Sequence, residues 1–200
     1  MHICIRFVFC FFLIVSLIAC TTVKSPPLMV NSTANDDNLI ALTHWQLLGR
    51  MALKSQSDTF SANVSWVQSN NNFKFKLTNV LGVTLLALDF KDGSSTLTFD
   101  GDVFTGKDPE QLIWRVSQWQ IPIKPMQRWV KGLSNNQEMV QRDQRGLLRT
   151  IIPTGTLNNW KVDYTEYTQT ANIVLPKQLV ISRQQPFASI KFKVNQWIVQ

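Results

Sequence analysis

The sequence predicts a mainly β protein, built on an antiparallel sheet that curls or closes and carries two short helices. From residue 39 onward, apolar and polar residues alternate in short segments, as in strands with one face in water. Asn, Asp, Gly and Pro separate these segments, which is typical of turns. Only the middle of the chain changes to helical spacing, so the helices interrupt the sheet once.

The first twenty residues are typical of a secretory signal peptide that ends at a lipidation site. Arg6 precedes an apolar run from Phe7 to Ile18, which is too short to span a membrane. The run ends in Leu17-Ile18-Ala19-Cys20, which resembles the lipobox of bacterial lipoproteins. This resemblance implies removal of residues 1–19 and acylation of Cys20. An ordinary signal peptide with a coincidental cysteine is the alternative.

Residues 20–38 are predicted to be the lipidated N terminus and a flexible tether, and residues 39–200 a single domain. The tether carries two prolines and small polar residues without apolar periodicity. In many Gram-negative lipoproteins an Asp after the acylated Cys means retention at the inner membrane. Thr21 at that position therefore implies the periplasmic face of the outer membrane, where nucleic acid is not an expected partner.

The predicted strands and helices follow from the two periodicities. Asp108 and Pro109 resemble a helix start, with apolar residues at 112, 113, 116 and 119. A second short helix is predicted over residues 125–133, with Gly132 as its stop. The strand candidates are residues 59–67, 73–78, 86–90, 95–99, 102–106, 147–152, 160–164, 177–182 and 188–197. The Asp100-Gly101 pair predicts a hairpin turn between two of them.

No constellation of residues indicates catalysis. After cleavage the chain would hold one histidine, His44, which excludes a site with two histidine ligands. Ser61, Ser65 and Ser117 lack a G-x-S-x-G setting, and no glycine-rich phosphate loop occurs. The sequence therefore predicts a protein that is not an enzyme, with no metal site and no cofactor.

Two features indicate an apolar ligand or surface instead. The turn after Thr78 reads Asn79, Val80, Leu81, Gly82, Val83, although turns normally carry polar residues. Seven tryptophans are predicted to lie on inward positions of strands or on apolar helix faces, where they could fill a core or line a concave pocket. We assign an acyl-chain cavity to the aromatic residues Trp66, Phe75, Trp119, Trp129 and Trp160.

Several further segments of the mature chain stand in a distinctive order and spacing: LTNVLG (77–82), WQIPIKPMQRWVKGL (119–133), NWKVDY (159–164), Leu175-Pro176 and VNQWIVQ (194–200). Together with the lipobox, these segments resemble the LolB family of outer-membrane lipoprotein receptors over nearly the whole mature chain. Two residues depart from the family pattern: Val80 replaces the usual turn proline, and Gln120 replaces a proline two residues before Pro122.

The resemblance implies a half-open antiparallel barrel, similar to LolA and LolB, under a helical lid over an apolar cavity. It implies a monomeric receptor that accepts acylated lipoproteins from the periplasmic carrier LolA and inserts them into the lipid of the outer membrane without nucleotide hydrolysis. The turn Val80, Leu81, Gly82 and Val83 would be its membrane-insertion loop. The alternative is a lipid-binding or structural outer-membrane lipoprotein with another ligand or partner.

Overall fold

A computed structural model describes residues 30–200 as one curved sheet and three helices. None of the helices in this range is both long and apolar enough to cross a membrane. In chain order the elements are α1 (Ser32–Ala41), β1 (His44–Ser55), β2 (Thr59–Ser69), β3 (Asn72–Thr78), β4 (Thr84–Lys91), β5 (Ser94–Phe99), β6 (Asp102–Gly106), α2 (Pro109–Ser117), α3 (Ile123–Trp129), β7 (Met139–Arg142), β8 (Leu148–Ile152), β9 (Trp160–Thr170), β10 (Ile173–Arg183) and β11 (Ala188–Val199).

The sheet contains eleven strands in the order β6-β5-β4-β3-β2-β1-β11-β10-β9-β8-β7, and all neighbours are antiparallel. The first and last strands pair in its middle, so β6 and β7 form its two edges. The segment that joins these edges, residues 107–138, contains α2 and α3. We call this segment the lid. Its helices pack over the concave face.

Alternation in the sequence places one row of each strand in the core. In β2, for example, Ala62, Val64 and Trp66 are buried, while the residues between them face outward. The lid contributes its own buried side chains, including Leu112 and Ile113 from α2 and Trp129 from α3. The strand candidates are confirmed, whereas β1 and β7 are strands that the sequence analysis did not propose.

The predicted hairpin turn and the predicted start of α2 are also present, whereas α3 begins two residues before the predicted start at 125 and ends at Trp129. Asp100 and Gly101 form the two-residue hairpin turn, with φ of 51° and 88°. Asp108 caps α2 by accepting hydrogen bonds from the backbone N–H groups of Glu110 (2.9 Å) and Gln111 (3.2 Å). Gly132 adopts a φ of +81° just beyond α3, as expected for a helix stop.

The turns divide between two ends of the barrel. One end, which we call the loop end, holds the connections at 56–58, 79–83, 100–101, 153–159 and 184–187. The other end, which we call the helix end, holds the start of β1 and the turns at 70–71, 92–93, 143–147 and 171–172. Strand direction fixes this assignment, because every neighbouring pair is antiparallel.

Helix α1 corrects the predicted boundary of the tether. The sequence analysis placed residues up to 38 in a flexible tether, but residues 32–41 form a helix that packs at the helix end. The Asn35 amide exchanges two hydrogen bonds with the backbone of Val174, at 3.2 and 2.8 Å. The packed domain therefore includes α1. Cys20 and residues 20–29 of the tether lie outside the described residues.

A buried lysine joins α1 to the lid. Lys131, which is 9% exposed, donates hydrogen bonds from Nζ to the carbonyl oxygens of Leu39 (2.8 Å) and Leu42 (2.9 Å). These carbonyls belong to the last turn of α1, where a cation is favoured by the helix dipole. Within residues 30–200 no carboxylate pairs with Lys131. Burial lowers the pKa of Lys131 to about 8.

This buried lysine predicts a pH dependence of stability. Because its pKa is lowered on folding, the unfolded chain binds more protons than the folded one between about pH 8 and its ordinary value. From pH 7 to pH 9.5 the lysine should add about 2 kcal/mol to the free energy of unfolding. In a Lys131→Met variant this contribution is absent. Urea unfolding of both proteins at the two pH values measures the difference, and parallel changes in the two proteins would contradict it.

Candidate functional site

The apolar turn is a solvent-exposed loop between β3 and β4. Val80 is 84% exposed, Leu81 85% and Val83 57%. These three residues lie in one short connection at the loop end of the barrel. Among the large apolar residues that the structure describes, Leu81 and Val80 are the two most exposed. The loop therefore presents an apolar surface to water.

Asn79 explains why these side chains stay exposed. Its Oδ1 accepts hydrogen bonds from the backbone N–H groups of Leu81 (2.9 Å) and Val83 (3.0 Å), and its own N–H donates to the Val83 carbonyl at 2.9 Å. Gly82 has a φ of +83°, which only glycine adopts readily. The loop is thus closed by hydrogen bonds of its backbone and of the Asn79 side chain, and its shape needs no contact from its apolar side chains.

An aromatic cluster lies at the same end, where the lid crosses the barrel between its two helices. Trp119 stacks on Phe60 with 4.2 Å between ring centroids and meets Phe99 edge-on at 5.7 Å. Trp119 is only partly buried, and Phe60 and Phe99 also keep some exposure. The apolar interior therefore extends to the surface at the loop end.

A cleft of about 330 Å³ opens beside this cluster, between the lid and the ends of β9 and β10. The indole ring of Trp160 forms part of its wall, with the Arg183 guanidinium 4.9 Å from the ring centroid. Arg183 also donates hydrogen bonds to the Pro186 carbonyl and to Gln120. The lining residues are Glu110, Gln111, Trp114, Gln120, Ile121, Pro122, Leu157, Trp160 and Arg183.

Two charged side chains, Glu110 and Arg183, line the cleft, and both are half-buried. Burial raises the pKa of Glu110, although the backbone N–H of Lys124 donates to that carboxylate at 2.9 Å. Partial burial lowers the pKa of Arg183. The remaining wall is mostly apolar, so the cleft suits a ligand with a long apolar part.

The five aromatic residues assigned to an acyl-chain cavity occupy two different settings. Trp66, Phe75 and Trp129 are fully buried among packed side chains. Trp160 lines the cleft, and Trp119 lies next to it. Trp114 departs from the prediction that all seven tryptophans face inward, because it is 48% exposed at the edge of the cleft.

Sequence reasoning missed several residues of the cleft. Leu157 and Ile121 carry no local signal, and Arg183 is an isolated cation at a strand end. Gln120 was noted only as a departure from the family pattern, yet it is the partner of Arg183. The β9 and β10 ends meet the lid only in the folded chain.

The two lid helices are held differently. Helix α3 is bound by polar contacts: the Tyr164 hydroxyl donates to the Trp129 carbonyl at 2.8 Å, and Gln68 donates to Gln127 at 3.0 Å. Helix α2 packs through Leu112 and Ile113. Its one side-chain hydrogen bond to the barrel within residues 30–200 is a long one, from Arg115 to the Thr105 carbonyl at 3.5 Å.

Comparison with solved structures shows the fold. A LolA superfamily protein from Nitrosomonas europaea superposes with a TM-score of 0.51 at 7% identity, covering 86% of this chain and 94% of that one. A DUF1329 family protein from Desulfovibrio piger gives a TM-score of 0.54 at 6% identity, covering 84% and 90%. The open curved sheet with its helices is therefore shared with these two proteins.

Comparison of sequences shows the family. Residues 43–197 match the family described as "Outer membrane lipoprotein LolB". Outer-membrane lipoprotein LolB of Shewanella denitrificans is 31% identical over 154 residues, which cover 76% of this chain and 75% of the relative. That of Psychromonas ingrahamii is 30% identical over 195 residues, covering 96% and 95%. The chain therefore belongs to the LolB family of outer-membrane lipoproteins, which confirms the family and the mainly β fold class predicted from its sequence.

Proposed function

We propose that this outer-membrane lipoprotein, acylated at Cys20, accepts acylated lipoproteins from the carrier LolA and passes them into the outer membrane as a monomer, without nucleotide hydrolysis. One observation supports this most directly: an exposed apolar loop and an apolar cleft lie at the same end of the barrel. A protein that moves an acyl chain from one apolar host to another needs both a place to hold the chain and a surface that enters lipid.

The energetics of acyl chains explain why two apolar features are needed. Each CH₂ removed from water is worth about 0.8 kcal/mol, so a chain of about sixteen carbons gains on the order of 10 kcal/mol by leaving water. Release of such a chain into the aqueous periplasm is therefore very slow. Direct passage from carrier to receptor to bilayer avoids that state, and a better apolar host at each step makes the sequence downhill without ATP.

The cleft is the proposed entrance for the acyl chain. Its volume of about 330 Å³ and its wall of Ile121, Leu157 and Trp160 suit part of one chain. The interior beyond it is filled by Trp66, Phe75 and Trp129, so deeper binding requires these side chains or α2 to move. Helix α2 is the easier element to displace, because its attachment to the barrel is almost entirely apolar.

The loop at 79–83 is the proposed membrane-insertion element. Burying one Leu or Val side chain in an apolar medium is worth about 1.5 to 3 kcal/mol, so Val80, Leu81 and Val83 together would give a reversible attachment to lipid. Because Asn79 already orders the backbone, insertion loses little conformational freedom. The loop can thus enter a bilayer and leave it again.

A Leu81→Glu variant tests the loop. Thermal stability should change little, since the side chain is 85% exposed. Loading from the carrier should be preserved because the cleft is unchanged, while delivery of the loaded cargo into liposomes should fall at least tenfold. Stability, loading and delivery are measured on one preparation. Lost loading would place Leu81 in the ligand or carrier interface, and unchanged delivery would contradict a membrane role.

Val67→Glu is the matched control for this variant. Val67 is also an exposed apolar residue, 40% accessible on the outward face of β2, but it lies far along the strand toward the helix end. Delivery by this control should equal that of the unchanged protein. A similar loss in both variants would indicate a general effect of added negative charge near anionic lipid.

A charge in the cleft should impair loading, in contrast to a charge in the loop, which should impair delivery. Leu157 is half-buried and lines the cleft, so a Leu157→Glu variant places a carboxylate where the acyl chain is proposed to lie. Cargo loading should fall at least tenfold, because burying the charge or displacing the chain is unfavourable. Leu157→Met keeps the apolar volume and should load normally. Cargo bound after mixing with loaded carrier is measured by pull-down, and equal loading by both variants would argue against the cleft.

A further inference from the structure

The acyl anchor joins the domain at the end opposite to the apolar loop. Helix α1 packs at the helix end, where Asp36 pairs with Arg142 at the end of β7 and Asn35 bonds Val174 at the start of β10. Just before the helix, the Val30 N–H donates to the carbonyl of Arg145, in the turn at 143–147, at 3.2 Å. The loop at 79–83 lies at the other end of the same strands. A chain that leaves α1 toward Cys20 therefore starts about one strand length from the loop.

Chain length limits how the anchored domain can stand on the membrane. Strand β1 has 12 residues, so it is about 36 Å long at about 3.3 Å per step, and a tilt of about 40° gives a barrel height of about 28 Å. The ten steps from Cys20 to Val30 span at most about 33 to 36 Å, whatever their conformation. If the loop pointed straight into the bilayer, residues 20–30 would have to span the height of the barrel and of the loop. This distance is nearly the full extended length of that segment.

Release of α1 removes this limit. The contacts of α1 are few and separate: the amide of Asn35, the pair of Asp36 with Arg142, the ammonium of Lys131 and the buried side chain of Leu39. Without them the chain from Cys20 to His44 has 24 steps and reaches up to about 80 Å. The domain could then turn freely above the surface.

We propose that docked α1 holds the loop end away from the outer membrane, toward the periplasm and an arriving carrier, and that undocking of α1 lets the loop turn toward the bilayer. This inference rests on the proposed acylation of Cys20 and on the proposed transfer function. In the docked state the loop and cleft face the side from which cargo comes. In the undocked state the same loop faces the membrane to which cargo goes.

Orientation can be measured with two probes at opposite ends of β2. Gln56→Cys lies in the turn at the loop end and Asn71→Cys in the turn at the helix end, and both residues are exposed. Each variant of the acylated protein has one free thiol for a fluorescent dye, since Cys20 would be acylated. In liposomes with an acceptor lipid, energy transfer from position 71 should exceed that from position 56.

Undocking should remove this difference. The double substitution Asn35→Ala with Lys131→Met weakens α1 docking, and transfer from the two positions should become similar. Stronger transfer from position 56 than from position 71 in the otherwise unchanged protein would overturn the proposal, as would equal transfer, which indicates a domain lying on its side. Circular dichroism and thermal unfolding confirm that the barrel of the double variant is folded.

Delivery gives an independent test. Deleting residues 22–26 leaves five steps between Cys20 and Val30, which span at most about 18 Å and are too short for the loop to reach the bilayer while α1 is docked. Once α1 undocks, nineteen steps of up to about 63 Å remain, so loading and delivery by the anchored protein should each change less than twofold. A loss of delivery that Asn35→Ala and Lys131→Met restore would show that α1 stays docked during delivery, and would overturn the inference.

The unanchored protein separates this inference from the proposed function. A soluble Cys20→Ala protein should load and deliver equally well with and without the deletion, because nothing ties its orientation to the membrane. If neither soluble form loads or delivers cargo, the proposed transfer function itself is wrong. If both soluble forms work and the anchored deletion variant loads cargo but does not deliver it, only the role of α1 is rejected.

Discussion

The structure depends on a sheet that curves almost to closure but keeps two free edges. Because β1 and β11 pair in the middle of the strand order, the edge strands β6 and β7 are consecutive strands of the chain, and the segment between them must cross the open side. That segment is the lid. Its amphipathic helices cover an apolar concave face that would otherwise be exposed, so one topological feature explains the core, the lid and the cleft at their boundary.

Local polar contacts allow the loop at 79–83 to break the usual rule that turns are polar. A turn needs polar residues chiefly to satisfy its backbone, and here one side chain, Asn79, meets that need. The neighbouring valines and Leu81 are then free of any structural task, and their exposure serves the protein only if they meet something apolar. The exposed side chains Val80 and Leu81 therefore support a functional role better than a structural one.

Much of the fold was predictable because its signals are local. Alternation identified the strands from β2 to β6, and the capping residue Asp108 identified the start of α2. Helix α1 was missed because its sequence, STANDDNLIA, has weak helix formers and no apolar stripe. Its order comes from distant partners such as Val174 and Lys131, which alternation and capping cannot reveal. The cleft was not predicted for the same reason, since Arg183 and Gln120, which contact each other in its wall, are 63 residues apart in the sequence.

The contrast between the two lid helices fits an apolar ligand. Displacing α2 exchanges contacts of Leu112 and Ile113 for contacts with an acyl chain, so that one apolar surface replaces another. The polar contacts that Lys124 of α3 makes with Glu110 and Asp108 lie at exposed positions, where water can replace them. Displacing α3 would break the buried hydrogen bond from Tyr164 and the half-buried one from Gln68, and loss of a buried hydrogen bond costs about 1 to 3 kcal/mol. In such a lid α2 can be displaced while α3 keeps its position. Lys131 follows the fixed helix, so α1 is fastened to the part of the lid that stays in place while an acyl chain enters.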